Sequence, residues 1–332
     1  VAAFQNAITD VPGILVGHAA DAEALTGCTV VLCPEGAVGG VDQRGGAPGT
    51  RQIDALRPVH LVQKAHAVML AGGSAFGLDA ASGAMRWLEA HGYGFDVRVA
   101  RVPIVPAAIL FDLAIGRADV RPDAEMGYRA CLAATSERPA EGNAGAGMGC
   151  TVGKALGPQF GMKGGLGTAS VDLGHGLVVG ALVAVNAYGD VLDERGDILA
   201  GCLVPGAEPP RFADALAVMR ARAGEAADAD RFGTLPAETS HTVIGVVATS
   251  ARLTKEEANK VAQMAHAGLA RVIRPAHTMF DGDTIFALST GAAAGEVNLV
   301  GAFAAEVLAR AILRGVRAAD PVPGWPAVKG RA

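Results

Sequence analysis

The stretch His241 to Thr249 (HTVIGVVAT) puts a hydroxyl residue, Thr242, at the mouth of an apolar strand that runs to Thr249. Valine and isoleucine at this density suit a pleated, buried surface. Just upstream, Gly224 to Ser240 is polar and has no clear period, which makes it the best linker candidate in the chain. Just downstream, Thr254-Lys255-Glu256-Glu257 has the form of a capping box. The helix it opens carries Val261, Met264, Ala265 and Leu269 on one face. A second strand pattern follows at Asp281 to Leu288 (DGDTIFAL), inside HTMFDGDTIFALSTG (277–291). If the two strands are neighbours, Asp281 and Asp283 face the same sheet end as Thr242. A final helix has Val300, Phe303, Ala304, Val307, Leu308 and Ala311 on one stripe.

Toward the N-terminus, short β-like runs alternate with helical patterns. Ile14–Val16, Thr29–Leu32 and Ala67–Ala71 read as strands, and Gly36 to Arg51 as a loop or bulged strand. Ser74 is placed to cap a helix that ends near His91. Val102 to Leu113 reads as a strand with prolines at its start, and Pro122 to about Thr135 as a helix. Gly142 to Lys154 is loop-like. Strands are expected at Leu166–Leu173 and Gly176–Ala187, then a hairpin through the Tyr188-Gly189-Asp190 turn, then a helix from Pro210 to Ala223. This order predicts stacked sheet and helix layers.

Composition narrows the classes. The 332 residues include 45 glycines, about twice the usual share of ~7%. Those glycines follow no three-residue period, which excludes collagen. With 51% hydrophobic residues, the chain can bury enough apolar surface to fold. Mean hydropathy is +0.32, yet the most apolar run, Gly176–Val185, is about half the ~20 residues of a spanning helix. A net charge of −5 provides no footprint for nucleic acid, so neither nucleic-acid nor membrane partners are expected. Five scattered cysteines with no CxxC pair signal neither zinc nor a disulfide framework. VAAFQNAITD lacks a basic n-region and a long apolar core, so no signal peptide is expected and a cytoplasmic location is the default.

Common site motifs fail. Gly153-Lys154 resembles the end of a phosphate loop, but Met148 and Ala155 occupy positions that motif reserves for glycine and for serine or threonine. Gly72-Gly73-Ser74-Ala75-Phe76 misses the nucleophile elbow because Phe76 replaces its last glycine. The eight histidines form no HExxH pattern, and Asp281-Gly282-Asp283 lacks the other ligands of a calcium loop. No metal or cofactor is expected.

Nearly the whole chain resembles the P1-type N-terminal-nucleophile peptidases. These include L-aminopeptidase/D-esterase, β-peptidyl aminopeptidases and endo-type 6-aminohexanoate oligomer hydrolases. The resemblance runs through ITDVPGILVGHA, GGVDQRGGAPGTR, LAGGSAFGLDAASG, VPAAILFDL, GNAGAGMGCTVGK, ALVAVNAYGDVLD and the two stretches above. It implies one domain over residues 1–332 with an Ntn-hydrolase-like αββα sandwich, shared in type with ornithine acetyltransferases. It also implies self-cleavage between His241 and Thr242 into an α part of 241 residues and a β part of 332 − 241 = 91 residues. By resemblance, Thr242 is the nucleophile and Asp281 and Asp283 orient it. Asn186 stabilises the oxyanion and Lys154 stands nearby. Phe111, where some members carry a tyrosine, touches substrate, and the backbone of Gly72 and Gly73 borders the pocket. The Asp-x-Asp pair looks more like the nylon-oligomer hydrolases than the Ser-x-Glu of β-aminopeptidases. His241 stands where processed members usually carry Asn or Gly; the cleavage chemistry uses only its carbonyl. The expected activity is hydrolysis of amide bonds in peptides or ω-amino-acid oligomers by a homo-oligomer, a tetramer by resemblance. An uncleaved, silent small-molecule-binding relative and an acyltransferase of the ornithine acetyltransferase type are the alternatives.

Overall fold

The computed structural model describes residues 4–223 and 241–330; the linker expected at 224–240 lies outside them. Eight strands set the architecture: β1 (Leu15–Asp21), β2 (Thr26–Gln43), β3 (Lys64–Ala71), β4 (Ala107–Ile109), β5 (Gly165–Asp172), β6 (Val178–Asn186), β7 (Thr242–Ala251) and β8 (Thr284–Ala293). The helices are α1 (Ala80–Ala90), α2 (Ala124–Leu132), α3 (Ala215–Ala221), α4 (Lys255–Val272) and α5 (Val297–Ala318). The strands order as β5-β6-β7-β8-β2-β3-β4, with Thr50–Arg51 beyond β4 and β1 paired to β2. β7 and β8 run parallel, whereas β6 is antiparallel to β7.

Strand alternation turns this one sheet into two facing layers. In β7, Val243 and Val247 join a core with α4 and α5, while Ile244, Val246 and Ala248 point the other way. There they meet Val31 of β2 and Val68 and Leu70 of β3. The alternate residues of those strands, Val30, Leu32, Ala67 and Met69, pack on α1 and α2. β2 belongs to both layers, pairing β1 through residues 26–32, β3 through residues 28–32 and 37–38, and β8 through residues 38–43. The resulting order is helix, sheet, sheet, helix, the αββα sandwich that the resemblance implied.

Several local expectations are corrected. Of the two readings of Gly36–Arg51, loop or bulged strand, the second holds up to Gln43: it continues the 18-residue β2, whose register against β3 shifts between Leu32 and Ala37. Glycine serves there for close packing: a Cβ on Gly40 would collide with the Ala258 backbone of α4. Val102–Leu113 is not one strand, because Pro103 and Pro106 interrupt it and only Ala107–Ile109 pairs within the large sheet. Ser74 makes no side-chain cap; it has φ +54 and opens a 3-10 turn, and α1 begins only at Ala80. Asp190–Leu192 forms no hairpin with β6; it joins a separate sheet with Ile198–Ala200 and Ile273–Arg274. The helix expected from Pro210 shrinks to α3, capped by Asp214. The capping box at Thr254 and Glu257 is present as read. Among the described residues no helix is long and apolar enough to cross a membrane.

Candidate active site

Three adjacent strands deliver the expected residues to one sheet end. Asn186, the last residue of β6, lies directly across from Thr242, the first of β7. β8 runs parallel on the other side of β7, and Asp281-Gly282-Asp283 immediately precedes it. His241 forms an isolated parallel bridge with Asp281. Asn186, His241, Thr242, Asp281 and Asp283 are all buried.

The geometry is that of the continuous chain. Thr242 Oγ1 donates to the His241 carbonyl oxygen at 2.5 Å. The same oxygen accepts the Gly282 backbone N–H at 2.8 Å. Asp283 Oδ1 accepts from Val243 N at 2.8 Å, and its Oδ2 from His277 Nδ1 at 2.8 Å. Asp281 Oδ2 accepts from Thr278 N and Oγ1 at 2.9 and 2.6 Å. Burial, and then the neighbouring Asp283, push the Asp281 carboxyl well above the usual range. The ring of His241 packs beside Tyr188, centroids 5.3 Å apart, and its two nitrogens have no partner. Burial holds that ring neutral by depressing its pKa.

Lys154 and Asn186 form a second group. Lys154 Nζ donates to Asn186 Oδ1 at 2.8 Å, which also accepts the Thr151 N–H at 3.0 Å. Asn186 Nδ2 donates to the Phe111 carbonyl at 2.9 Å. An amide nitrogen carries two hydrogens, so one remains for an oxyanion. Burial pulls the Lys154 ammonium down to about 7.

A cleft opens beside these groups, lined by Phe111, Ile115, Lys154, Pro158, His241 and Trp325 among others. In the continuous chain it is His241, not Thr242, that meets this cleft. Phe111 lies in the wall as expected. Gly72 and Gly73 are not in the lining; they stand behind Asp112, which is. Gly73 N donates to Asp112 Oδ1 at 2.6 Å, and a Cβ on Gly72 would collide with the same carboxylate. Asp112, Thr278 and Tyr188 are site residues that sequence reasoning missed. Each lies inside a stretch that carries the resemblance, but nothing local marks its role, and the partners of Asp112 lie 39 and 86 residues away.

Burial also sets how stability responds to pH. Lys163, fully buried and donating to the Met148 and Cys150 carbonyls, is likewise pulled down, to about 8. Above these values, and up to the ~10.4 of a free lysine, the unfolded chain binds more protons than the folded one. Stability therefore rises with pH in that window. The five buried cysteines act oppositely. Burial raises their thiol pKa values, so above the free value of ~8.5 the unfolded chain releases protons that the folded chain keeps. The thermal midpoint of the continuous chain should climb from pH 7 to about 8.5 and fall toward pH 10. A midpoint that declines steadily from pH 7 would contradict the burial of both lysines.

The fold and the site fit known proteins. Peptidase family S58 matches residues 6–329. An uncharacterized aminopeptidase of Mycobacterium leprae is 44% identical over 99% of this chain and 95% of its own length. A 6-aminohexanoate-oligomer endohydrolase of Paenarthrobacter ureafaciens is 31% identical over 92% of this chain and 84% of its own. Among solved structures, the L-aminopeptidase D-Ala-esterase/amidase of Ochrobactrum anthropi, described as a variant of the Ntn hydrolase fold, superposes with a TM-score of 0.69 at 22% identity. That alignment covers 98% of this chain and 91% of that one. A Burkholderia sp. beta-aminopeptidase gives a TM-score of 0.67 at 23% identity, covering 97% and 89%. The chain belongs to peptidase family S58 and is an amide-bond hydrolase with an Ntn-hydrolase-type fold.

Proposed function

We propose that the chain cuts itself between His241 and Thr242 and then hydrolyses amide bonds through an acyl-enzyme on Thr242. The observation that carries this is the placement of one carbonyl. The His241 oxygen lies 2.5 Å from Thr242 Oγ1 and accepts the Gly282 N–H, so charge developing on it has a fixed donor. Thr242 Oγ1 adds to the His241 carbonyl carbon, the C–N bond breaks, and an ester forms as the nitrogen takes up the hydroxyl proton. Water then releases the His241 carboxylate and leaves Thr242 with a free α-amine. Such an amine has a reference pKa near ~7.7–8.0, which suits it to accept the proton of its own hydroxyl.

In turnover the hydroxyl attacks the substrate carbonyl, and the free hydrogen of Asn186 Nδ2 is the donor for the oxyanion. Asp283 fixes the start of β7 through Val243 N, and Asp281 sits on the other side of the Gly282 donor. Substrates are peptides or ω-amino-acid oligomers, in line with the mainly apolar cleft walls of Phe111, Ile115, Pro158 and Trp325. Intact mass spectrometry of the purified protein tests the reading. Two fragments are expected, the smaller of 91 residues beginning at Thr242. A single intact chain of 33.4 kDa without activity overturns it.

A further inference from the structure

We propose that His277 is a positioning residue for the Thr242 site. Its ring Nδ1–H and its backbone N–H together hold one oxygen of Asp283, which keeps the other oxygen on the Val243 N–H beside the nucleophile. The inference rests on the reading of Thr242 as that nucleophile.

Asp283 is buried and accepts three hydrogen bonds at its two carboxylate oxygens. Val243 N reaches Oδ1 at 2.8 Å, while His277 N and His277 Nδ1 reach Oδ2 at 3.2 and 2.8 Å. Two of the three donors thus come from one residue. His277 takes φ +58 to supply both, a left-handed conformation that non-glycine side chains seldom adopt. The turn is what aims backbone and ring at the same atom.

The tautomer follows from the partners. A carboxylate only accepts, so Nδ1 of His277 carries the hydrogen and Nε2 is bare when the ring is neutral. Nε2 is buried and has no partner. The ring stands against His266 of α4, centroids 4.9 Å apart at 72°. His266 Nε2 donates to the Asp42 carbonyl at 3.0 Å, so its buried, unpartnered Nδ1 is the bare nitrogen there. The charged and titratable groups against His277 are Asp283 on its own loop and His266 from α4; beside His266 stands Asp42 of β2, which pairs with Arg44.

This arrangement has a kinetic signature. Without the ring donor, Asp283 Oδ2 keeps only the His277 backbone N–H, at 3.2 Å, and the carboxylate is no longer fixed against the Val243 N–H. The start of β7 then drifts from the geometry the nucleophile needs, which lowers kcat more than it raises KM.

The test compares wild type, His277→Gly and His277→Asn. Glycine suits φ +58 and removes the ring while keeping the backbone N–H. Asparagine tolerates that backbone and returns a short donor. Each is assayed for cleavage at Thr242, thermal midpoint, and kcat and KM from pH 5 to 9. Substrates are a 6-aminohexanoate oligomer and aminoacyl 4-nitroanilides. His277→Gly should lose about 100-fold in kcat with KM within about threefold. His277→Asn should recover at least about tenfold of the loss. If the glycine chain does not fold, kcat of His277→Asn decides: a value within about tenfold of wild type supports the proposal, and a loss of about 100-fold overturns it. Equal losses in both variants would mean a structural role and overturn the proposal. A cut and active wild type beside an unaffected glycine variant would overturn this inference alone. An uncut, inactive wild type would remove the reading beneath it, and the inference with it.

Discussion

Thr242→Ala is expected to leave a single uncut chain with no measurable amide hydrolysis. The substitution removes Oγ1, which lies 2.5 Å from the His241 carbonyl oxygen and is the nucleophile of the proposed self-cleavage. Without Oγ1 no ester forms, the peptide bond stays, and no α-amine is released to act as base. Both the nucleophile and its base are lost together, so the drop in kcat should approach the ~10⁶-fold seen when a catalytic unit loses its nucleophile. Folding should barely change. The hydroxyl's partner is its own preceding carbonyl, which keeps the Gly282 N–H, so no buried group is orphaned and the cost is about 1 kcal/mol or less. Thr242→Ser keeps Oγ and should still be cut. Denaturing gels, N-terminal sequencing and thermal midpoints read these outcomes. A Thr242→Ala chain that is still cut before residue 242 would assign the cleavage to another nucleophile.

The parts of this site that were legible in the sequence share one property: they sit where a local pattern changes. Thr242 marks the switch from a polar segment to a buried strand, and Asp281 and Asp283 mark the start of the next. Their meeting depended on β7 and β8 being parallel neighbours, a condition the register of Ile244 with Thr284 meets. What stayed hidden depends on contacts between distant segments. Asp112 is held by Gly73 and Thr26, and nothing in Phe111-Asp112-Leu113 announces either. Gly36, Gly39 and Gly40 left loop and bulged strand both open, because glycine is the usual mark of a turn. They lie in β2, and at Gly40 the reason is the α4 backbone lying against the strand. Ser74 failed as a cap for a related reason: the tight turn after β3 puts Gly73 and then Ser74 at positive φ. The capping box at Thr254, by contrast, involves only residues three apart and was readable as it stands.

Asn186→Ala is expected to separate the two reactions, leaving self-cleavage intact while lowering turnover by about 10²–10³-fold in kcat. The separation follows from which donor serves which carbonyl. In the continuous chain the His241 oxygen is met by the Gly282 N–H, whereas Asn186 Nδ2 is bound to the Phe111 carbonyl. Self-cleavage therefore has a backbone donor that no side-chain change removes. In the β6–β7 pair Asn186 is the residue directly opposite Thr242, so under the proposed mechanism it is the donor that meets the substrate carbonyl once the His241–Thr242 bond is cut. The alanine variant also leaves the Thr151 N–H and Lys154 Nζ without the oxygen they share, a cost of about 1–3 kcal/mol in stability. Asn186→Asp controls for that cost, since an aspartate keeps an acceptor for both groups but lacks the amide donor. It should be cut like wild type and be nearly as slow in turnover as the alanine variant. If both variants remain uncut, Asn186 serves the first reaction as well, and the assignment of Gly282 as the donor for self-cleavage falls. If Asn186→Asp is cut and keeps turnover within about threefold of wild type, the oxyanion donor for substrate lies elsewhere in the cleft wall.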